Sequence, residues 1–177
     1  LYMRLAGAQY TMTSKADAYK GAMRSAYKSS KYQQAIDAAA SLLKVTDSKD
    51  LRREAQFIQA KSYLTTSSRD KAFALLGKLI AEPNTAEGAE SYYLIIQARF
   101  DWGKFEEVEN GVFDFSAKCT EQPYWLARAF IVLGDSYVER NMIEQAVATY
   151  QSVRDGYTAP EEGDDIQQIV SVKLSQL

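Results

Sequence analysis

Histidine is missing from the 177-residue chain, and cysteine occurs once, at Cys119. Zinc sites built from Cys and His are therefore excluded, as are Ser-His and Cys-His catalytic arrangements within the chain, and no internal disulfide can form. Only 3 prolines and 9 glycines interrupt the sequence, and long alternating runs rich in Val, Ile and Thr are lacking, so the chain reads as almost wholly helical. No apolar run approaches the ~18 residues that suggest a membrane span, and membrane insertion by this segment is not expected. A strong charge of one sign is also lacking: 21 Lys and Arg stand against 23 Asp and Glu, a net charge of -2 with a pI near 5.3. That leaves no electrostatic footprint for nucleic acid. What the chain has in quantity is apolar material, 46% of its residues, enough for the core of one soluble globular or repeat domain. Its opening, LYMRLAGAQY, shows neither an initiator methionine nor a signal peptide, and reads as the trimmed edge of a longer protein.

The strongest positive signal is internal repetition. The stretch SKYQQAI (Ser30–Ile36) recurs as SRDKAFA (Ser68–Ala74), GKFEEVE (Gly103–Glu109) and NMIEQAV (Asn141–Val147). Each is a short polar turn leading to a small or β-branched residue, and these residues, Ala35, Ala72, Val108 and Ala146, are spaced by 37, 36 and 38. An amphipathic stretch precedes each turn and another follows it, so each unit predicts helix, tight turn, helix. Between units lie the breakers VTDSKD, AEPNTAEG, KCTEQP and YTAPEEGDD, whose Asp, Ser, Asn and Thr suit helix N-caps and whose Pro suits a first helical turn.

The fourth unit carries, in order, Phe130, Leu133-Gly134, Tyr137, Ala146 and Tyr150. This resembles the tetratricopeptide repeat: an aromatic, Leu-Gly, Tyr, then Ala and a second aromatic. Gly134 and Ala146 are expected to be small because two antiparallel helices cross there. The other units are more divergent, and all run 36–38 residues rather than 34. The resemblance implies an all-α fold, a right-handed α-α superhelix in a single domain over 1–177, with four repeats at 16–46, 50–83, 86–118 and 123–156. Leu1, Leu5 and Ala8 lie 34 residues ahead of Ala35, Ala39 and Leu42, so 1–13 is expected to be the second helix of a truncated earlier unit. Ile166, Ile169, Val170, Leu174 and Leu177 form one stripe, which predicts a closing helix over 164–177, started by Asp164 and Asp165.

In proteins of this family the first helix of each unit builds the concave wall, whose outward residues commonly grip a peptide or partner helix. Mapped here, the wall is Lys20, Arg24, Tyr27 and Lys28, then Phe57, Lys61 and Leu64, then Tyr93, Gln97, Phe100 and Asp101, then Arg128, Ile131, Asp135 and Glu139. It runs from basic, through aromatic, to mixed and acidic, with aromatics as the natural anchors. The family's clamp for an acidic chaperone C-terminus is not expected: Lys20 fits it, but Arg24 and Ile58 replace polar groups and Glu90 stands where a lysine belongs. The acidic run PEEGDD (160–165) lacks calcium-loop spacing. Glu106 and Glu107 belong to the repeated turn rather than to an acid/base pair. Cys119, beside Lys118, lacks a histidine to activate it, and Trp102 and Trp125 read as packing staples.

The sequence therefore points to a non-catalytic scaffold that binds a protein or peptide, with no cofactor and no metal. Two alternatives stand beside it: a small-molecule-binding or enzymatic superhelix, and self-association through the truncated first helix. Such arrays with long loops are common in bacterial envelope proteins, so the resemblance implies the periplasmic side of the envelope ahead of the cytoplasm.

Overall fold

A computed structural model of the chain describes residues 7–159 and 164–177. Among these residues there are nine helices and no strand, in agreement with the all-α expectation: α1 (Gly7–Lys28), α2 (Tyr32–Val45), α3 (Lys49–Thr65), α4 (Arg69–Leu79), α5 (Ala86–Asp101), α6 (Phe105–Lys118), α7 (Pro123–Glu139), α8 (Ile143–Gly156) and α9 (Ile166–Ser175). No described helix is long and apolar enough to cross a membrane.

The helices are joined by one turn used four times. Ser30, Ser67, Gly103 and Asn141 have φ of 57°, 60°, 69° and 57°, the left-handed conformation that ends a helix with a Schellman motif. In the first, the N–H of Lys31 donates to the carbonyl of Ala26 at 2.8 Å and that of Ser30 to Tyr27 at 3.0 Å. Ser68, Lys104 and Met142 repeat the long bond, to Tyr63, Arg99 and Tyr137. The left-handed residues are spaced by the same 37, 36 and 38 as the buried residues Ala35, Ala72, Val108 and Ala146. The looser connections use side-chain caps instead. Ser48 accepts from the N–H of Leu51, Thr85 from that of Gly88, and Pro123 occupies the first turn of α7, where its missing N–H costs nothing.

The chain forms two compact units, divided between Leu79 and Ile80. In the first, α1 packs on α2 and α3, and α3 on α2 and α4. Its core is made of small residues, Ala35, Ala39 and Ala55, around Met23 and Leu42. In the second, α5 packs on α6 and α7, α7 on α8, and α9 on both α7 and α8. That core is larger and more aromatic, with Tyr92 stacked on Phe115 at 4.6 Å and Tyr150 buried.

Three sequence expectations need correction or restatement. A break was expected between 13 and 16, but α1 runs unbroken from Gly7 to Lys28. Thr13 and Ser14 are only weak helix formers, and their cost of a few tenths of a kcal/mol each does not end a helix that lacks proline there. Leu1 and Leu5, placed on a truncated unit, lie outside the described residues, as do 160–163 of the acidic run. The notch at Gly134 is filled by a ring: a Cβ there would lie 2.3 Å from a Tyr150 ring carbon. It is thus the Tyr150 side chain, from the helix after the turn, that requires glycine at 134.

Candidate functional site

Residues expected on the wall gather on α1 and α3 in the first unit and, in the second, into a network around Arg128 and a cleft at Asp135. Arg24 forks onto Glu54, with Nε–Oε1 at 2.5 Å and Nη2–Oε2 at 2.7 Å, and that hydrogen bond pushes its pKa up further. Lys20 pairs with Asp17 one turn back, at 2.7 Å. The Lys61 ammonium lies 5.1 Å from the centre of the Phe57 ring and 6.0 Å from that of Tyr27, within cation–π range. Tyr27 in turn meets Tyr32 edge-on at 6.0 Å. Phe57 was expected to face outward, yet it is buried, at 9% exposure. Its ring serves as the floor under Lys61, because burying it removes a large apolar surface from water.

In the second unit the cluster is centred on Arg128 of α7. Its Nη2 donates to the Tyr93 hydroxyl at 2.9 Å, and Nη1 reaches the Tyr124 hydroxyl at 3.4 Å and Asp165 Oδ2 at 3.3 Å. The guanidinium also lies 5.2 Å from the Tyr93 ring centre. Burial alone would lower its pKa, but the bond to Tyr93 and the neighbouring tyrosine oxygens more than reverse this, and the net shift is upward. Trp125 packs between Tyr93 and Tyr124, at 5.4 and 5.1 Å. The Tyr93 hydroxyl is also 3.5 Å from Gln97 Oε1, and Gln97 donates to Asp101 at 2.9 Å. Ile131, expected on the wall, is buried at 5% exposure; the α7 surface there is consumed by packing.

Two turns further along α7, Asp135 lines a cleft of about 390 Å³ together with Phe100, Val138, Glu139, Tyr150, Lys173, Gln176 and Leu177. Asp135 Oδ1 accepts from the Tyr150 hydroxyl at 2.5 Å and pairs with Lys173 Nζ at 2.6 Å. Burial, then the bond to Asp135, raises the Tyr150 pKa far above that of a free tyrosine. The structure thus brings Phe100 and Asp135 together, and joins Tyr93, Gln97 and Arg128 in a separate network nearer the start of α7.

Several partners were not foreseen: Glu54, Tyr124, Asp165 and Lys173. A signal existed for the last two. Arg128 and Asp135 are seven residues apart on α7, and Asp165 and Lys173 are eight apart with reversed charge, which is the pattern of two helices lying side by side. The remaining candidates are structural. Cys119 is buried at 3% exposure. Glu107 pairs with Lys104 at 3.0 Å in the first turn of α6, where acidic residues face the helix dipole favourably. Trp125 packs between two tyrosines, and Trp102 is 45% exposed. Among the described residues no group of His, Cys, Asp or Glu is arranged to hold a metal ion. Comparison with protein-family models, curated proteins and solved structures returned no match.

Proposed function

We propose that the chain is a tetratricopeptide-like array, a right-handed α-α solenoid, that works as a non-catalytic scaffold and binds a peptide or partner protein on the first helices of its repeats, α1 and α3 in one compact unit and α5 and α7 in the other. The observation that carries this reading is the pairing of a cation with aromatic rings across neighbouring first helices in each unit: Lys61 over Tyr27 and Phe57, and Arg128 over Tyr93. The half-buried Tyr27 and Tyr93 rings, held by packing beside a cation, offer a partner rigid apolar area and directional hydrogen bonds at little entropic cost, the properties that mark anchor positions at interfaces. The buried Phe57 supports Lys61 from below. The recurrence of one Schellman turn between the two helices of each repeat supports it further, because it is a regular helix-turn-helix unit. Charged residues around the anchors contribute chiefly to specificity and association rate.

The test is affinity capture from the source cells, comparing the native chain with a Lys61→Ala, Tyr93→Ala double variant. The expected result is a partner retained by the native chain and lost from the variant, with the two proteins melting within a few degrees of each other by circular dichroism. Equal capture by both would remove these clusters from the binding surface.

A further inference from the structure

The Phe100–Asp135 cleft has an unused half. Both contacts to the Asp135 carboxylate, from Tyr150 and Lys173, fall on Oδ1, and Oδ2 receives no hydrogen bond from any described residue. Glu139, one turn along α7 and lining the same cleft, is exposed and makes no ion pair or hydrogen bond among the described residues. Residues four apart on a helix face the same side, roughly 5–6 Å apart at Cβ. The Phe100 ring from α5, Val138 from α7 itself and Leu177 line the same cleft. Two carboxylate edges beside an aromatic face and an apolar wall are complementary to a planar cation on an aliphatic stem. The cleft already holds a cation of the chain's own, Lys173, at 35% side-chain exposure, which partly offsets the Asp135 charge and leaves Glu139 without an ion pair among the described residues.

We propose that this cleft receives the arginine side chain of a bound peptide, its guanidinium bridging Asp135 Oδ2 and Glu139 and its methylenes lying against Phe100 and Val138. Arginine suits the site better than lysine because its planar fork reaches two acceptors at once and stacks on a ring, whereas an ammonium is a single point charge. Lys173 competes for the same carboxylate and lowers the affinity. The assignment rests on the peptide-binding reading above, whose test uses Lys61 and Tyr93, residues outside this cleft.

The experiment is an amide NMR titration of the whole chain with N-acetyl-arginine amide, with N-acetyl-citrulline amide as the isosteric neutral control. The expected result is saturable shifts clustered at Phe100, Val138 and Glu139 with the arginine probe and none with citrulline. Glu139→Gln weakens binding by about fivefold, the upper range for an exposed pair. Lys173→Met strengthens it by up to about the same factor, because the competing cation is gone. Both positions are at the surface, and the dispersion of the amide spectrum verifies that each variant is folded. The proposal is overturned if the arginine probe gives no saturable shift, if citrulline gives the same response, or if Glu139→Gln binds as tightly as the native chain. Such an outcome alongside partner capture that still depends on Lys61 and Tyr93 removes the arginine site alone. A bound arginine probe with no captured partner removes the scaffold reading alone.

Discussion

Glycine shows how strongly a residue's effect depends on what stands opposite it. Gly134 in α7 faces the Tyr150 ring, and an added Cβ would lie 2.3, 2.8 and 2.8 Å from three of its carbons. The ring cannot retreat, since it is 1% exposed and its hydroxyl is held by Asp135. Gly77, inside α4, has nothing within 4 Å of the same position. There alanine adds only helix propensity, about 0.8–1 kcal/mol in its favour. Gly134→Ala is therefore expected to destabilise by about 1–3 kcal/mol, the usual cost of overpacking, and Gly77→Ala to stabilise by somewhat under 1 kcal/mol. Chemical denaturation of the two variants checks this, and changes of the same sign would contradict it. The same contrast explains why Ser62 and Ser136 are tolerated in the core. Their hydroxyls are buried without a hydrogen-bond partner among the described residues, but both are small enough to sit where helices press close.

At the scale of the element, the turn is the repeated invention. Only one of its four left-handed positions is glycine; the other three are Ser30, Ser67 and Asn141. A non-glycine residue there carries a steric cost of roughly 1–2 kcal/mol, eased for asparagine by its own hydrogen bonding. Ser67→Gly is thus expected to raise stability by up to about 1 kcal/mol after the entropic cost of glycine in the unfolded chain is deducted. A rise in the urea midpoint with an unchanged slope reports it, and a fall would show that the serine side chain holds the turn by other means. Much of this level was readable from sequence. The spacing of Ala35, Ala72, Val108 and Ala146 located the turns, because a compact apolar residue recurs wherever a helix pair closes. The run-on of α1 through Thr13 and Ser14 was not readable, because a weak propensity dip looks the same whether neighbouring packing overrides it or not. Which wall residues would pair was also hidden. Helical periodicity places Phe57 and Ile131 on a face, but it does not say whether the next helix will cover that face.

At the scale of the whole molecule, titration is concentrated in one place. Tyr92, Tyr124, Tyr137, Tyr150 and Tyr157 all have pKa values raised above the ordinary 10.0, with burial as the leading cause and hydrogen bonds to carboxylates adding to it. All five lie in the second unit. A raised folded pKa means that the native state keeps protons the unfolded chain releases. The corresponding stability is complete below pH 10 and is lost progressively above it, as the folded values are approached. Stability followed from pH 8 to about 11.5 is expected to fall above about 10, and Tyr150→Phe to reduce that fall. An unchanged slope in the variant would mean that Tyr150 does not hold its proton more tightly in the native state. Composition could not have revealed this, since twelve tyrosines look alike until packing buries some beside carboxylates.

Tyr150 belongs to two settings at once. Its ring is wedged against the Gly134 backbone, while its hydroxyl ends on the carboxylate that forms the floor of the cleft. Anything that engages Asp135 therefore pulls on a wedge set deep in the helical packing. Occupancy at the surface should register as a rise in melting temperature, so unlabelled ligands can be screened by heat alone.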